Sequence, residues 1–94
     1  MTKIDKGQRF SRTGNLDVSE LPDGYMVTVV QTGRIHYLNP VAAIVFELCD
    51  GTQPVASIIQ RLQSEFSLDE APGAQVESCL STLLSEGLIA PCPI

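Results

Sequence analysis

At 94 residues the chain has room for one domain with a single modest core, and 44% hydrophobic residues with a mean hydropathy of +0.13 exclude a disordered polymer. No apolar run approaches the ~18 residues that span a bilayer, and the polar opening MTKIDKGQRFSRTGN has no signal-peptide core, so a cytoplasmic protein is expected. The net charge of −5 is uneven: Lys3, Lys6, Arg9 and Arg12 hold four of the six positive charges, and from Thr13 onward two basic residues stand against ten acidic ones, a net of −8 that repels phosphate backbones.

Residues 1–15 show no period and read as a flexible N-terminal arm, of which residues 1–12 are expected to be dispensable for folding. Leu16 to Leu21 alternates apolar and polar residues, the pattern of a half-buried strand. Pro22-Asp23-Gly24 is a turn, and Tyr25 to Gln31, rich in β-branched and aromatic residues, is a second strand. Thr32-Gly33 reverses the chain into a third predicted strand, Arg34-Ile35-His36-Tyr37-Leu38. Two short turns in succession imply an antiparallel meander with the second strand in the middle.

The period then changes. Asn39-Pro40 has the form of a helix start, with Asn as N-cap and Pro at the first helical position. Val41, Ile44, Val45 and Leu48 follow at helical spacing, and Asp50-Gly51 is read as the helix end, with Gly51 in the left-handed C′ position. Thr52-Gln53-Pro54 opens a second predicted helix with Val55, Ile58, Ile59, Leu62 and Phe66 on one face. The short link implies a steep crossing, as in a helix-turn-helix. A third helix starts at Pro72-Gly73 or at Ala74, carries Val76, Leu80, Leu83, Leu84 and Leu88 with Cys79 beside them, and is stopped by Gly87. The expected fold is α+β: a three-stranded antiparallel sheet followed by three helices, resembling a winged helix-turn-helix, over residues 16–90, with a tail at 91–94.

Residues for catalysis are lacking. Cys49, Cys79 and Cys92 form no C-x-x-C pair, and His36 is the single histidine, so neither a metal site nor a nucleophile with its base can be assembled. Reduced thiols are expected, with Cys49 and Cys79 as small core hydrophobes and Cys92 exposed in the tail. Asp69-Glu70 reads as an acidic pair at a helix start. No enzyme, metal or cofactor is expected.

Three sequence pieces carry a family resemblance. Leu38-Asn39 closes a strand, Leu48-Cys49-Asp50-Gly51 follows a helix, and Val55-Ala56-Ser57-Ile58 opens the next; the terminal Leu83-Leu84-Ser85-Glu86-Gly87-Leu88-Ile89 is a further match. In this order, after a meander, they resemble the PqqD-like family, the peptide chaperones or recognition elements of ribosomally made and modified peptide (RiPP) pathways. Pro54 and Pro72-Gly73 depart from the family pattern and leave the starts of two helices open. The same residues have physical roles as caps and core, so they identify the fold rather than the binding site.

The resemblance implies a non-enzymatic module that binds the leader of a precursor peptide as an added strand. The leader would pair with the free edge of the third predicted strand, through Arg34, Ile35, His36, Tyr37 and Leu38. It would lie in a groove against the third helix, walled by Val76, Cys79, Leu80 and Leu83, some of which must also serve the core. The second implied partner is a peptide-modifying enzyme: a radical-SAM enzyme, a leader protease or another tailoring enzyme. Residues 1–12 of the arm are expected to be free to contact that enzyme. Two other readings stay open. A structural adaptor or homodimer would satisfy the same edge by pairing two copies. A winged-helix DNA-binding regulator would need a basic recognition helix, and the second helix offers only Arg61 and the third no basic residue.

Overall fold

The computed structural model describes residues 4–92; the first three residues of the expected arm and the last two of the tail lie outside it. In chain order the elements are β1 (Arg9–Arg12), β2 (Leu16–Leu21), β3 (Gly24–Val29), β4 (Arg34–Leu38), α1 (Pro40–Leu48), β5 (Asp50–Pro54), α2 (Val55–Glu65), α3 (Gly73–Ser85) and β6 (Ile89–Pro91). The described residues are thus α+β, with three helices and two three-stranded antiparallel sheets ordered β2-β3-β4 and β5-β1-β6.

The expected meander is the first sheet, with β3 in the middle. Val27 pairs with Val18 on one side and His36 on the other; Met26 pairs with Ser19 and Tyr37, and Thr28 with Asp17 and Ile35. Side chains alternate between faces, so Val27, His36 and Leu38 share the inner face, and Met26, Thr28, Ile35 and Tyr37 the outer. α1 covers the inner face over β3 and β4, where Val27 and Leu38 are buried. β2 is less buried than its alternation suggested: Val18 on the inner face is exposed, because the helix packs over the other two strands, and Leu21 is exposed on the outer face.

The second sheet was not foreseen, and it corrects the reading of residues 1–15 as a loose arm. Within the described part, β1 is the central strand, pairing Phe10 with Pro91, Arg12 with Ile89, and Ser11 with both Asp50 and Ala90. Phe10 is 1% exposed and Ile4 is also buried. The segment also closes the ends of all three helices. The carbonyls of Gln8 and Lys6 accept from the amides of Val55 and Ala56, both at 2.9 Å, at the start of α2, where Pro54 offers no side-chain cap. The Arg12 guanidinium donates to the carbonyls of Phe46 (3.1 Å) and Glu47 (2.7 Å) at the end of α1 and lies over the Phe46 ring. The Thr13 hydroxyl donates to Gly87 O (2.9 Å) and its amide to Leu88 O (3.1 Å), just past α3. The tail is likewise tied down: β6 runs through Pro91, and the Cys92 amide donates to Arg9 O at 2.9 Å, leaving Cys92 half-buried.

The helix starts and stops divide into those set locally and those set by contact. Asn39 caps α1 as expected, its side-chain oxygen accepting from Ala42 N at 2.8 Å. The end differs: α1 stops at Leu48 with Cys49 as cap, and Gly51 uses its φ of +85° inside β5 instead of as a helix C′ residue. Thr52, Gln53 and Pro54, expected to open α2, belong to β5, so a strand joins α1 to α2 in place of the expected short turn. Val55, Ile58, Ile59 and Leu62 are buried as expected; Phe66, beyond the last turn, is exposed. Gly87 ends α3 in a full Schellman motif, with Leu88 N bonded to Leu83 O (3.0 Å) and Gly87 N to Leu84 O (3.1 Å). Leu83 and Leu88 join one core cluster with Phe10, Phe46, Leu62 and Leu80.

Candidate functional site

The first sheet has two free edges among the described residues, since β2 and β4 each pair only with β3. An edge strand carries unpaired N–H and C=O groups, and proteins usually guard it with charge, proline or a covering element. The β2 edge is guarded: Asp17 and Glu20 lie on it, and Pro22-Asp23 follow at once. The β4 edge is bare. Its one formal charge is Arg34 at the very start, and Ile35 and Tyr37 are 51% and 71% exposed.

One side-chain contact joins the end of α3 to this strand. There Glu86, the cap residue, meets the inner face of β4: His36 Nδ1 lies 2.7 Å from Glu86 Oε2. Nδ1 is thus placed to donate to the carboxylate, while the buried Nε2 has no partner among the described residues. Toward the other end of β4 a hollow of about 440 Å³ opens, lined by Asn39, Val41, Ala74, Gln75, Ser78 and Cys79. Gln75, Cys79 and Glu86 follow one stripe of α3, with Thr82 on it by spacing. The surroundings of β4 are thus ionic at His36–Glu86 and mostly neutral at the hollow past its end, by Val41 and Cys79. Burial pushes the Cys79 thiol pKa up, which disfavours the thiolate at this wall of the hollow.

The predicted site residues separate. Arg34, Ile35 and Tyr37 are exposed on β4, His36 is half-buried and paired, and Leu38 is buried against the core. On α3 only Cys79 of the four reaches the hollow. Val76, Leu80 and Leu83 are 0–1% exposed and pack into the core, which removes them as walls. Asn39, Val41, Gln75 and Ser78 line the hollow and Glu86 meets His36; none of these was among the residues expected there. The stripe one residue to the side of an apolar helix stripe was the available signal for Gln75; nothing local announces Glu86, whose partner is 50 residues away. Hollows elsewhere, one of about 560 Å³ lined by Ile4, Asp5, Lys6 and Glu77, do not adjoin the free edge.

A family model described as "Coenzyme PQQ synthesis protein D (PqqD)" matches residues 24–89. The chain belongs to the PqqD family. The match starts at the first residue of β3 and ends at the first residue of β6, so β4, α3 and the hollow lined by Asn39, Val41 and Cys79 lie inside it, and β1 and β2 lie outside. No curated protein and no solved structure matches the chain. The PqqD family is associated with peptide binding in the biosynthesis of PQQ and other RiPPs, and its members act with a radical-SAM enzyme in PQQ synthesis. In the described residues no helix is long and apolar enough to cross a membrane.

Proposed function

We propose that this PqqD-family chain holds the leader of a ribosomally made precursor peptide as a fourth strand on β4 and presents the rest of the precursor to a modifying enzyme. The observation that carries the reading is the contrast between the two edges of one sheet. β2 is guarded by acidic residues, whereas β4 is left bare, with a hollow between the start of α1 and α3 opening past its end. About four backbone hydrogen bonds at ~1 kcal/mol net each and two apolar anchors at roughly 1.5–3 kcal/mol each supply the attraction. Ordering a flexible leader costs on the order of 2–5 kcal/mol, and lost translational freedom at least ~4 more. The balance is at most about 4 kcal/mol, millimolar binding, so tighter capture requires further contacts between the leader and the chain.

The test is titration of the chain with synthetic leaders encoded beside its gene, followed by amide exchange on the complex. Binding should slow exchange along Arg34–Leu38, and Cys79→Trp, which fills the hollow, should weaken binding with the fold intact. Binding that protects another surface would refute strand addition at β4. No binding by any such leader, with two copies paired through β4 in solution, would favour the adaptor or homodimer reading.

A further inference from the structure

We infer that the outer face of β4 is itself a sequence-reading surface. Ile35 and Tyr37 select leaders that carry bulky apolar, preferably β-branched or aromatic, residues at two positions separated by one. The inference rests on strand addition at β4. An added strand sends alternate side chains to opposite faces, so the groove can read only every second residue. The residues between them lie on the outer face, beside Ile35 and Tyr37.

The composition of that face changes steadily toward the free edge. In the row through the sheet's middle it runs Ser19, Met26, Tyr37, and in the next row Asp17, Thr28, Ile35. In these two rows polar side chains on β2 give way to mixed ones on β3 and to exposed apolar ones on β4, while Leu21 at the turn end of β2 lies on the same face opposite Gly24. A protein docking flat on the sheet would favour apolar cover across all three strands. A single strand added at β4 needs it only at the last one. Of the other exposed apolar residues, Val30, Phe66 and Leu68 lie in or beside loops, Val18 lies on the inner face of β2, and Leu21 lies at the turn end of β2 opposite Gly24, so none extends the pair formed by Ile35 and Tyr37. A second copy of the chain is the weaker occupant, because each copy carries a net charge of −5.

Cross-strand pairs of this kind contribute through contact with the side chain directly opposite, most strongly for aromatic and β-branched partners. The leader class is therefore an alternating segment. Its outward residues are apolar and pack beside Ile35 and Tyr37. Of its inward residues, the one between those two meets the His36–Glu86 pair, and the next faces the hollow by Val41 and Cys79.

The experiment is selection of a displayed peptide library, randomised over a short extended segment, on the full chain and on an Ile35→Thr/Tyr37→Thr double variant. Thr keeps the strand propensity and removes the apolar surface. Peptides enriched on the parent chain should share bulky apolar residues at positions i and i+2. That preference should vanish on the double variant, with an affinity loss on the order of tenfold for the parent's best peptide and inward preferences retained. Identical profiles on the two proteins, with β4 amides still protected by bound peptide, would overturn the inference and leave strand addition standing. No enriched peptide on either protein would overturn both. A parent chain that sediments as a dimer, with a monomeric double variant, would assign the face to a second copy and overturn the inference.

Discussion

His36 in the middle of β4 and Glu86 at the carboxyl cap of α3 meet at 2.7 Å between Nδ1 and Oε2, a contact that ties the open strand to the helix beside it. Glu86→Gln keeps an acceptor for the Nδ1 proton and should change little. Glu86→Ala leaves the half-buried imidazole without a partner on either nitrogen and should cost about 1 kcal/mol, since the pair is partly exposed. Peptide affinity should fall further than stability does, because the spacing between β4 and α3 is no longer fixed. Urea unfolding and peptide titration of the two variants check this. Equal affinity in both would show that the contact does not set the groove.

The N-terminal segment supplies the second prediction. Deleting residues 1–12 removes the central strand of one sheet, the carbonyl caps of α2 and the guanidinium cap of α1. The truncated chain should fail to fold. Phe10→Ala should cost about 3–5 kcal/mol as a large-to-small change at a fully buried site, and Arg12→Ala about 1–2 kcal/mol through the lost cap. Chemical denaturation of the point variants measures both; a stable, cooperative truncated domain would refute the role.

That segment also marks where the sequence stops being legible. Asn39-Pro40, the alternation in β2 to β4 and the apolar stripe of α3 are local patterns, and each produced the element it announced. Arg9–Arg12 contains one apolar residue, and Ile89–Pro91 ends in a proline, so neither strand has a period to detect; each exists because the other is beside it. The site divides in the same way. The open edge followed from strand order. The groove walls did not, because Val76, Leu80 and Leu83 are indistinguishable by spacing from residues at a helix margin, and only packing against α1 and α2 commits them to the core.

Gly24 and Gly33 make a controlled pair. A Cβ on Gly24, at φ +145°, would lie 1.8 Å from the Leu38 carbonyl oxygen, at the junction of β4 and α1. A Cβ on Gly33, at φ +74°, meets nothing within 4 Å. Gly33→Ala should therefore cost only the left-handed backbone strain, about 1–2 kcal/mol. Gly24→Ala must also displace backbone and should cost clearly more, with chemical-shift changes reaching Leu38 and Asn39. Thermal melts with backbone NMR distinguish the two; similar losses at both positions would deny the close approach.

Alkaline pH offers the last prediction. Burial pushes the Cys49 thiol from its ordinary 9.0 up to about 12. Tyr25, whose hydroxyl donates to Glu47 Oε1 at 2.7 Å, is raised from 10.0 to about 12, chiefly by that hydrogen bond to a carboxylate and then by burial. In both cases the folded state favours the protonated form. Below the unfolded pKa the contribution to stability is fully present. As pH rises, the unfolded chain loses these protons first, so the folded state is progressively disfavoured from about pH 9 to about pH 12. Stability measured by denaturant titration should decline across that window, and Tyr25→Phe and Cys49→Ala should each flatten the slope. The same burial should make Cys49 the last thiol to react with a disulfide reagent at neutral pH, after Cys92 and Cys79. A slope unchanged in both variants, together with rapid labelling of Cys49, would place that thiol outside the core.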